Sequence, residues 1–368
     1  MGFGKQIEFV LKNATSAVLR LWLAQPEKKP DVSFKRILFI RYGGIGDMIL
    51  SLPVFRAAKE RFKTVKIDVL CGHSNAAPIR DMNFVDSINY YEKAPHKILK
   101  LIFTLRKKNY DYVCNLVPYP SFTFGILARL TAPHAVRVAA DQKQYEYLYN
   151  RVFAVPAKGD IHMLERMCLL AADILGNEEV VFNTPWIEYH SEIKKRAHDI
   201  FSSVVKELRI SSSNARIIAV NVTAKLKRRE WPLNKYAEFL RIVIPQYKNY
   251  INGWVIFTDP NKTELTQELI RLIDLPSVVV IPPIFDYRVI MEFLRHILVL
   301  ITPDTSFVHA ASAMGTPVLD LMIAENVVTW DPIGVPHRII TSMDPVNLQD
   351  LPVQSVLDGF KELINEVT

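Results

Sequence analysis

The 368 residues hold three cysteines, Cys71, Cys114 and Cys168, far apart and without a CxxC pair. That scarcity excludes a disulfide framework and a cysteine-built zinc site, and it fits a reducing compartment in which all three are core thiols. No internal repeat or low-complexity tract interrupts the chain, which rules out solenoids and long disordered arms. There is no basic helix with groove-reading spacing, no zinc-finger pattern and no aromatic ribonucleoprotein motif, so nucleic acid is not the expected partner despite a formal net charge of +7. The positive excess points instead to an anionic membrane surface or a phosphorylated substrate.

With 49% hydrophobic and 23% charged residues, the composition is that of a folded globular protein, and its length suits two domains. Residues 5–24 place Ile7, Val10, Leu11, Ala14, Ala17, Val18, Leu21 and Trp22 on one helical stripe, with Lys12 and Arg20 off it. Asn13, Thr15 and Ser16 break any continuous apolar run, so the segment is neither a spanning helix nor a signal peptide. Two readings stay open: a helix lying in the membrane interface, or one packed on the protein's own surface or on a partner chain. Pro26, Lys28, Lys29 and Pro30 read as a linker.

The run from Arg36 to Leu50 is a short apolar strand that passes through Gly43, Gly44 and Gly46 into a helix, with Asp47 at the helix start. Glycines allow a sharp turn and close approach to a ligand, and the free amides of a helix start attract anions. Gly44-Ile45-Gly46 matches the first two glycines of a dinucleotide fingerprint, but Ile49 stands where the third belongs. Asp47 is either a helix-dipole partner or a catalytic group.

Periodicity predicts strands at 37–40, 65–70, 87–91, 112–116 and 136–139, with helices at 48–62, 98–107, 123–130 and 162–175. A passage at 184–191 and a charged helix at 192–208 precede a restart. The second series has strands at 217–221, 254–258, 278–281, 299–302 and 318–321, with helices at 233–245, 264–272, 287–294, 307–314 and 353–367. The fold class is therefore α/β, two consecutive open and mostly parallel sheets. The expected boundaries are 1–30 for the helix and linker, 31–190 and 191–350 for the two halves, and 351–368 for a closing helix.

Two segments of the second half combine helix starts with charge. Thr223 to Pro232 brings Lys225, Lys227, Arg228 and Arg229 to a strand end, where phosphate is the natural ligand and a solvated basic loop the plainer reading. Thr302 to Pro317 sets Asp304, Thr305 and Ser306 before an apolar helix that carries His309. Helix capping accounts for one of those three residues, not for all of them with the histidine.

In this order, the motifs resemble those of glycosyltransferase family 9, the heptosyltransferases that use ADP-heptose. The match comprises the glycine-turn opening up to Pro53, the helix with His162, Glu165 and Arg166, the Arg229-Glu230-Trp231-Pro232 segment, the block from Asp304 to Pro317, and Trp330, Pro332 and Gly334 beyond it. The resemblance implies a GT-B architecture, two Rossmann-like halves facing a cleft, with acceptor on the N-terminal half and nucleotide-sugar on the C-terminal half. It implies an inverting transfer that needs no metal, and the chain has no Asp-x-Asp triplet, the usual metal signature of the other large glycosyltransferase fold.

On the same resemblance, Asp47 is the general base, and Gly43, Gly44 and Gly46 form the acceptor-side loop. Thr223, Lys225, Arg229, Glu264, Asp304, Thr305, Ser306 and His309 bind the donor, for which the resemblance implies ADP-heptose. No cofactor or metal is expected. The acceptor would be a lipopolysaccharide core or another bacterial surface glycan, and the enzyme would be cytoplasmic, at the inner face of the cytoplasmic membrane. Ser306 stands where the family has glycine, Asn115 where aspartate is common, and Asp259 where glycine follows the strand. Two other classes compete: an NAD-dependent oxidoreductase, for which Asp68 would be the ribose partner, and a non-catalytic relative that binds nucleotide or glycan.

Overall fold

The computed structural model describes residues 35–156, 159–175, 185–275 and 277–368. The helix expected over 5–24, its linker and residue 184 of the passage lie outside the described residues. The chain divides into two compact units, one of Met1–Pro156 with Leu164–Phe182, the other of Ala157–Met163 with Asn183–Thr368.

The first unit is a six-stranded parallel sheet of β1 (Arg36–Ile40), β2 (Lys66–Cys71), β3 (Ser87–Tyr90), β4 (Tyr112–Asn115), β5 (Val136–Ala140) and β6 (Arg151–Phe153), in the order β3-β2-β1-β4-β5-β6. Its helices are α1 (Ile45–Ile49), α2 (Leu52–Arg61), α3 (Pro95–Arg106), α4 (Phe122–Thr131) and α5 (Met163–Leu175). Ile37 to Ile40 of β1 are wholly buried, as a central strand covered on both faces must be.

The second unit repeats the plan. After α6 (Ser191–Leu208) come β7 (Ile217–Val220), α7 (Leu233–Gln246), β8 (Gly253–Phe257), α8 (Thr263–Ile273), β9 (Val278–Ile281), α9 (Tyr287–Leu294), β10 (Val299–Pro303), α10 (Ser306–Met314), β11 (Val318–Met322), α11 (Val327–Trp330), β12 (His337–Thr341) and α12 (Val353–Val367). The sheet order β12-β11-β10-β7-β8-β9, read from its other edge, is the same topology as the first. Each sheet thus reverses direction once, between β1 and β4 and between β7 and β10, and such switch points are where open α/β sheets bind ligands.

The expected core strands are present, with three differences elsewhere. The single helix expected at 48–62 is two, α1 and α2, broken at Leu50 and Ser51; Pro53, in the first turn of α2, has no N–H to continue a ladder. His162 precedes α5 instead of lying in it. The edge strands β6 and β12 are additional; both are only partly buried and too short or too mixed to show a period. α12, the expected closing helix, packs on β11, β12 and α7, and Val356, Phe360, Leu363 and Ile364 are among its buried residues.

Asp68, the candidate ribose partner, is fully buried within β2. It accepts hydrogen bonds from Arg36 Nη1 at 3.0 Å, Lys108 Nζ at 2.8 Å and the Tyr110 hydroxyl at 2.7 Å. Burial alone would raise its pKa, but the bonds from Lys108, Tyr110 and Ser87 outweigh that and hold it below the ordinary value. The carboxylate is structural, which removes the acidic residue that, beside Gly44 and Gly46, favoured a dinucleotide. Asp68→Ala, which strands Lys108 and Tyr110, should cost about 3 kcal/mol, read from the chemical denaturation midpoint. A loss within error of zero would show the network to be incidental.

Candidate functional site

Asp47 is delivered to the carboxyl end of β1 by the turn 41–44 and occupies the first turn of α1. Its Oδ2 accepts the Gly44 N–H at 2.6 Å, and its Oδ1 accepts from Arg41 Nη2 at 2.9 Å. The side chain is 22% exposed, so the carboxylate is tethered yet reachable. None of the three loop glycines has positive φ. What Gly43 supplies is room: a Cβ there would lie 2.5 Å from Asp47 Oδ2.

Arg41 was not among the residues the sequence singled out. Its side chain is completely buried and reaches Asp47 O (3.1 Å), Ser51 Oγ (3.0 Å) and Leu116 O (2.8 Å) as well as the carboxylate. Burial lowers its pKa from the ordinary value and the Asp47 charge opposes that shift. Its own carbonyl accepts from Asn75 Nδ2 at 3.0 Å, and Asn75 Oδ1 accepts the Gly72 N–H at 2.9 Å. The exits of β1, β2 and β4 are thereby fastened together. The only sequence signal was an arginine at a strand end, six residues before an acid.

Asn115, at the end of β4, donates to the Tyr149 hydroxyl at 2.7 Å and accepts the Val117 N–H at 3.1 Å. The amide serves as donor and acceptor at once, whereas an aspartate here could only accept, with the Tyr149 hydroxyl turned to donate. In the loop that follows, Tyr119 is half-exposed; burial first and then the Asp47 charge raise its phenol pKa.

In the second unit the exit of β7 leads through a 3-10 turn, Lys227–Arg229, to Trp231, whose Nε1 donates to Leu351 O at 3.0 Å. Buried Glu230 pairs with Lys262 and, at 3.1 Å, with Lys227. Burial would raise its pKa; the bonds from Lys262 and Lys227 prevail and lower it. With Trp231 and Glu230 fixed, Arg229 extends to Asp304, with Nη1 to Oδ2 at 3.2 Å, while its buried Nε has no partner. Asp304 follows β10 and also accepts from Asn326 Nδ2 at 2.6 Å.

Thr305 caps α10, its hydroxyl accepting the Phe307 N–H at 3.3 Å, and the Ser306 hydroxyl pairs with the Tyr287 hydroxyl at 2.9 Å. His309 is buried on α10 with its ring 5.9 Å from that of Trp330. The Thr223 N–H and hydroxyl are both used on Asn221 Oδ1, at 3.2 and 2.9 Å. Lys225 is exposed, as is Glu264 in the first turn of α8. The structure therefore joins Arg229 directly to Asp304 and joins neither to Lys225 or Glu264 by a hydrogen bond. Among the described residues there is no group of three or more His, Cys, Asp or Glu fit to hold a metal, and no helix long and apolar enough to cross a membrane.

Sequence reasoning also missed Asp320. It pairs in register with Thr302, is fully buried, and neither carboxyl oxygen has a hydrogen-bond partner. Burial, followed by the Asp304 charge, raises its pKa well above the carboxylate range, against the pull of Arg229. It is a strand-interior residue flanked by Leu319 and Leu321, which is why no motif revealed it.

The two sheets and their switch-point residues define a GT-B-type α/β fold. The Veillonella parvula glycosyl transferase family 9 structure shares it with a TM-score of 0.77 at 16% identity, covering 92% of this chain and 99% of that one. The Escherichia coli ADP-heptose lps heptosyltransferase II does so with a TM-score of 0.71 at 21% identity, covering 90% and 99%. Lipopolysaccharide heptosyltransferase 3 of E. coli K12 is 24% identical over 336 residues, 88% of this chain and 91% of that protein. The profile of Glycosyltransferase family 9 (heptosyltransferase) matches residues 98–359, and the chain belongs to that family. It is a glycosyltransferase.

Asp320 makes a pH prediction whose sign is fixed. Its native pKa lies above the unfolded value of about 3.9, so the folded state holds the extra proton; stability is greatest below that value and falls as pH rises toward the native pKa. Between about pH 5 and about pH 8, the melting temperature of Asp320→Asn should therefore fall less than that of the unaltered protein. Parallel curves would show that Asp320 titrates as an ordinary carboxyl.

Proposed function

We propose that the protein moves a heptose from ADP-heptose to a lipopolysaccharide-core or related surface-glycan acceptor, with inversion and without a metal. The observation that carries the reading is Asp47: a carboxylate tied at both oxygens to a rigid strand exit, yet partly open to solvent. The tethers use two of about four lone-pair sites, and the rest stay available to an acceptor hydroxyl. The relatives support the choice of sugar and acceptor, since one is named a lipopolysaccharide heptosyltransferase and another an ADP-heptose heptosyltransferase.

In this mechanism Asp47 removes the acceptor O–H proton as that oxygen bonds to the anomeric carbon. The bond from that carbon to the diphosphate oxygen breaks on the opposite face, and its electron pair leaves with ADP. Negative charge grows on the leaving group, where preorganised donors are most effective. Arg229 supplies them: its side chain is partly exposed, and only Nη1 of its guanidinium is engaged with Asp304. Asp304 receives sugar hydroxyls, while the start of α10 at Thr305 and Ser306, with His309, receives the diphosphate. Lys225 and Glu264, both exposed, lie on the donor side as further contacts for phosphate and nucleoside.

Asp47→Ala should lower kcat by about 10²–10⁴-fold with ADP affinity unchanged, measured by transfer assay and calorimetry. Retained turnover would remove Asp47 as base. Gly43→Ala should lower kcat up to about 100-fold by displacing the carboxylate, with little change in melting temperature. ADP at about 100 times its Kd should stabilise the fold by about 2.7 kcal/mol, seen as a thermal shift. A shift with UDP, GDP or NAD and none with ADP would sink the donor assignment.

A further inference from the structure

α3 has two apolar faces where a surface helix needs one. Leu101 and Leu105 are turned into the core beside α4. Leu99 and Phe103, one turn apart, are 57% and 64% exposed. At 100° per residue they stand roughly 200° around the helix from Leu101 and Leu105, so they are not the margin of the core stripe but a ridge aimed at solvent.

The residues around the ridge are cationic. From Lys93 to Tyr110 the sequence contains no Asp or Glu, and it contributes Lys93, Lys97, Lys100, Arg106, Lys107 and Lys108. Lys97 is paired with Glu92 and Lys108 with Asp68. Among the described residues no carboxylate pairs with the exposed Lys100, Arg106 or Lys107, which flank Leu99 and Phe103 on the helical wheel.

We propose that the Leu99–Phe103 ridge of α3 seats the protein on an anionic lipid bilayer. A convex pair of apolar side chains ringed by long cationic ones matches a surface that is negatively charged at the headgroups and apolar just beneath. A protein partner would call for a broader apolar patch or a groove. The placement fits the fold as well: α3 leaves the carboxyl end of β3, the same edge of the parallel sheet from which β1 delivers Asp47. The inference rests on charge and exposure, not on the identity of the donor.

The test uses the full chain without donor or acceptor, so its outcome is separate from that of the transfer reaction. Cosedimentation is measured with vesicles of phosphatidylcholine alone and of phosphatidylcholine mixed with phosphatidylglycerol. The expected result is binding to the anionic vesicles that weakens with salt. Leu99→Ser with Phe103→Ser should lower the partition coefficient about tenfold, and Lys100→Glu with Lys107→Glu by at least about tenfold. Residues 1–34 are identical in all these proteins, so any difference belongs to α3. Equal partitioning of the unaltered chain and both variants would overturn the proposal. So would equal binding to neutral vesicles, or a concentration-dependent dimer in ultracentrifugation that the serine pair abolishes.

Discussion

A guanidinium taken wholly out of water requires an acceptor for its N–H groups, and the first unit is organised around meeting that requirement for Arg41. Its acceptors come from α1, from Ser51 at the break before α2, and from the loop after β4. Removing any one would leave a buried charge short of a partner, which costs several kcal/mol. The position of Asp47 is therefore set less by the short helix that bears it than by the arginine beneath it. The break between α1 and α2 belongs to the same arrangement, because the Ser51 hydroxyl that receives Arg41 also donates to Asp47 O at 2.8 Å.

The second unit reaches a similar result by different means. Glu230 is the buried charge there, answered by Lys262 and Lys227, and Trp231 anchors the neighbouring backbone to Leu351. Arg229 is left partly exposed, and it is held by Asp304 across the switch point. In both units an arginine and an aspartate meet where the sheet reverses its winding. The polarity differs: in the first unit the arginine is the buried member, in the second the aspartate is the more buried. An accessible acid suits proton removal, and an accessible cation suits a departing anion.

The central strands were legible because buried parallel strands are written as runs of Val, Ile and Leu, and the turns around Gly43 and Asp304 because glycines and capping residues punctuate them. β6 and β12 were not, since a strand of three residues or one with a half-exposed face has no period to detect. Of the site, Asp47, Arg229 and Asp304 could be named from motifs. Arg41, Lys262 and Asp320 could not, because their roles depend on contacts between segments distant in sequence: Arg41 with Leu116, Lys262 with Glu230, and Asp320 with Thr302 alongside. The family resemblance named candidate reacting groups, and only the packing revealed what holds them.

The identical winding of the two sheets has a consequence for how such a chain can change. Each half exposes six strand exits, and the candidate reacting groups lie beside its reversal point, Asp47 after β1 and Arg229 and Asp304 after β7 and β10. The outer exits, after β3, β5, β9 and β11, are supported by the same scaffold yet carry none of the proposed bond-making. Substitution there alters what surrounds the reaction, except at Asn326 and Tyr287, whose bonds to Asp304 and Ser306 tie the margin to the site. The topology thus separates the exits that bear the candidate reacting groups from a margin built on the same frame.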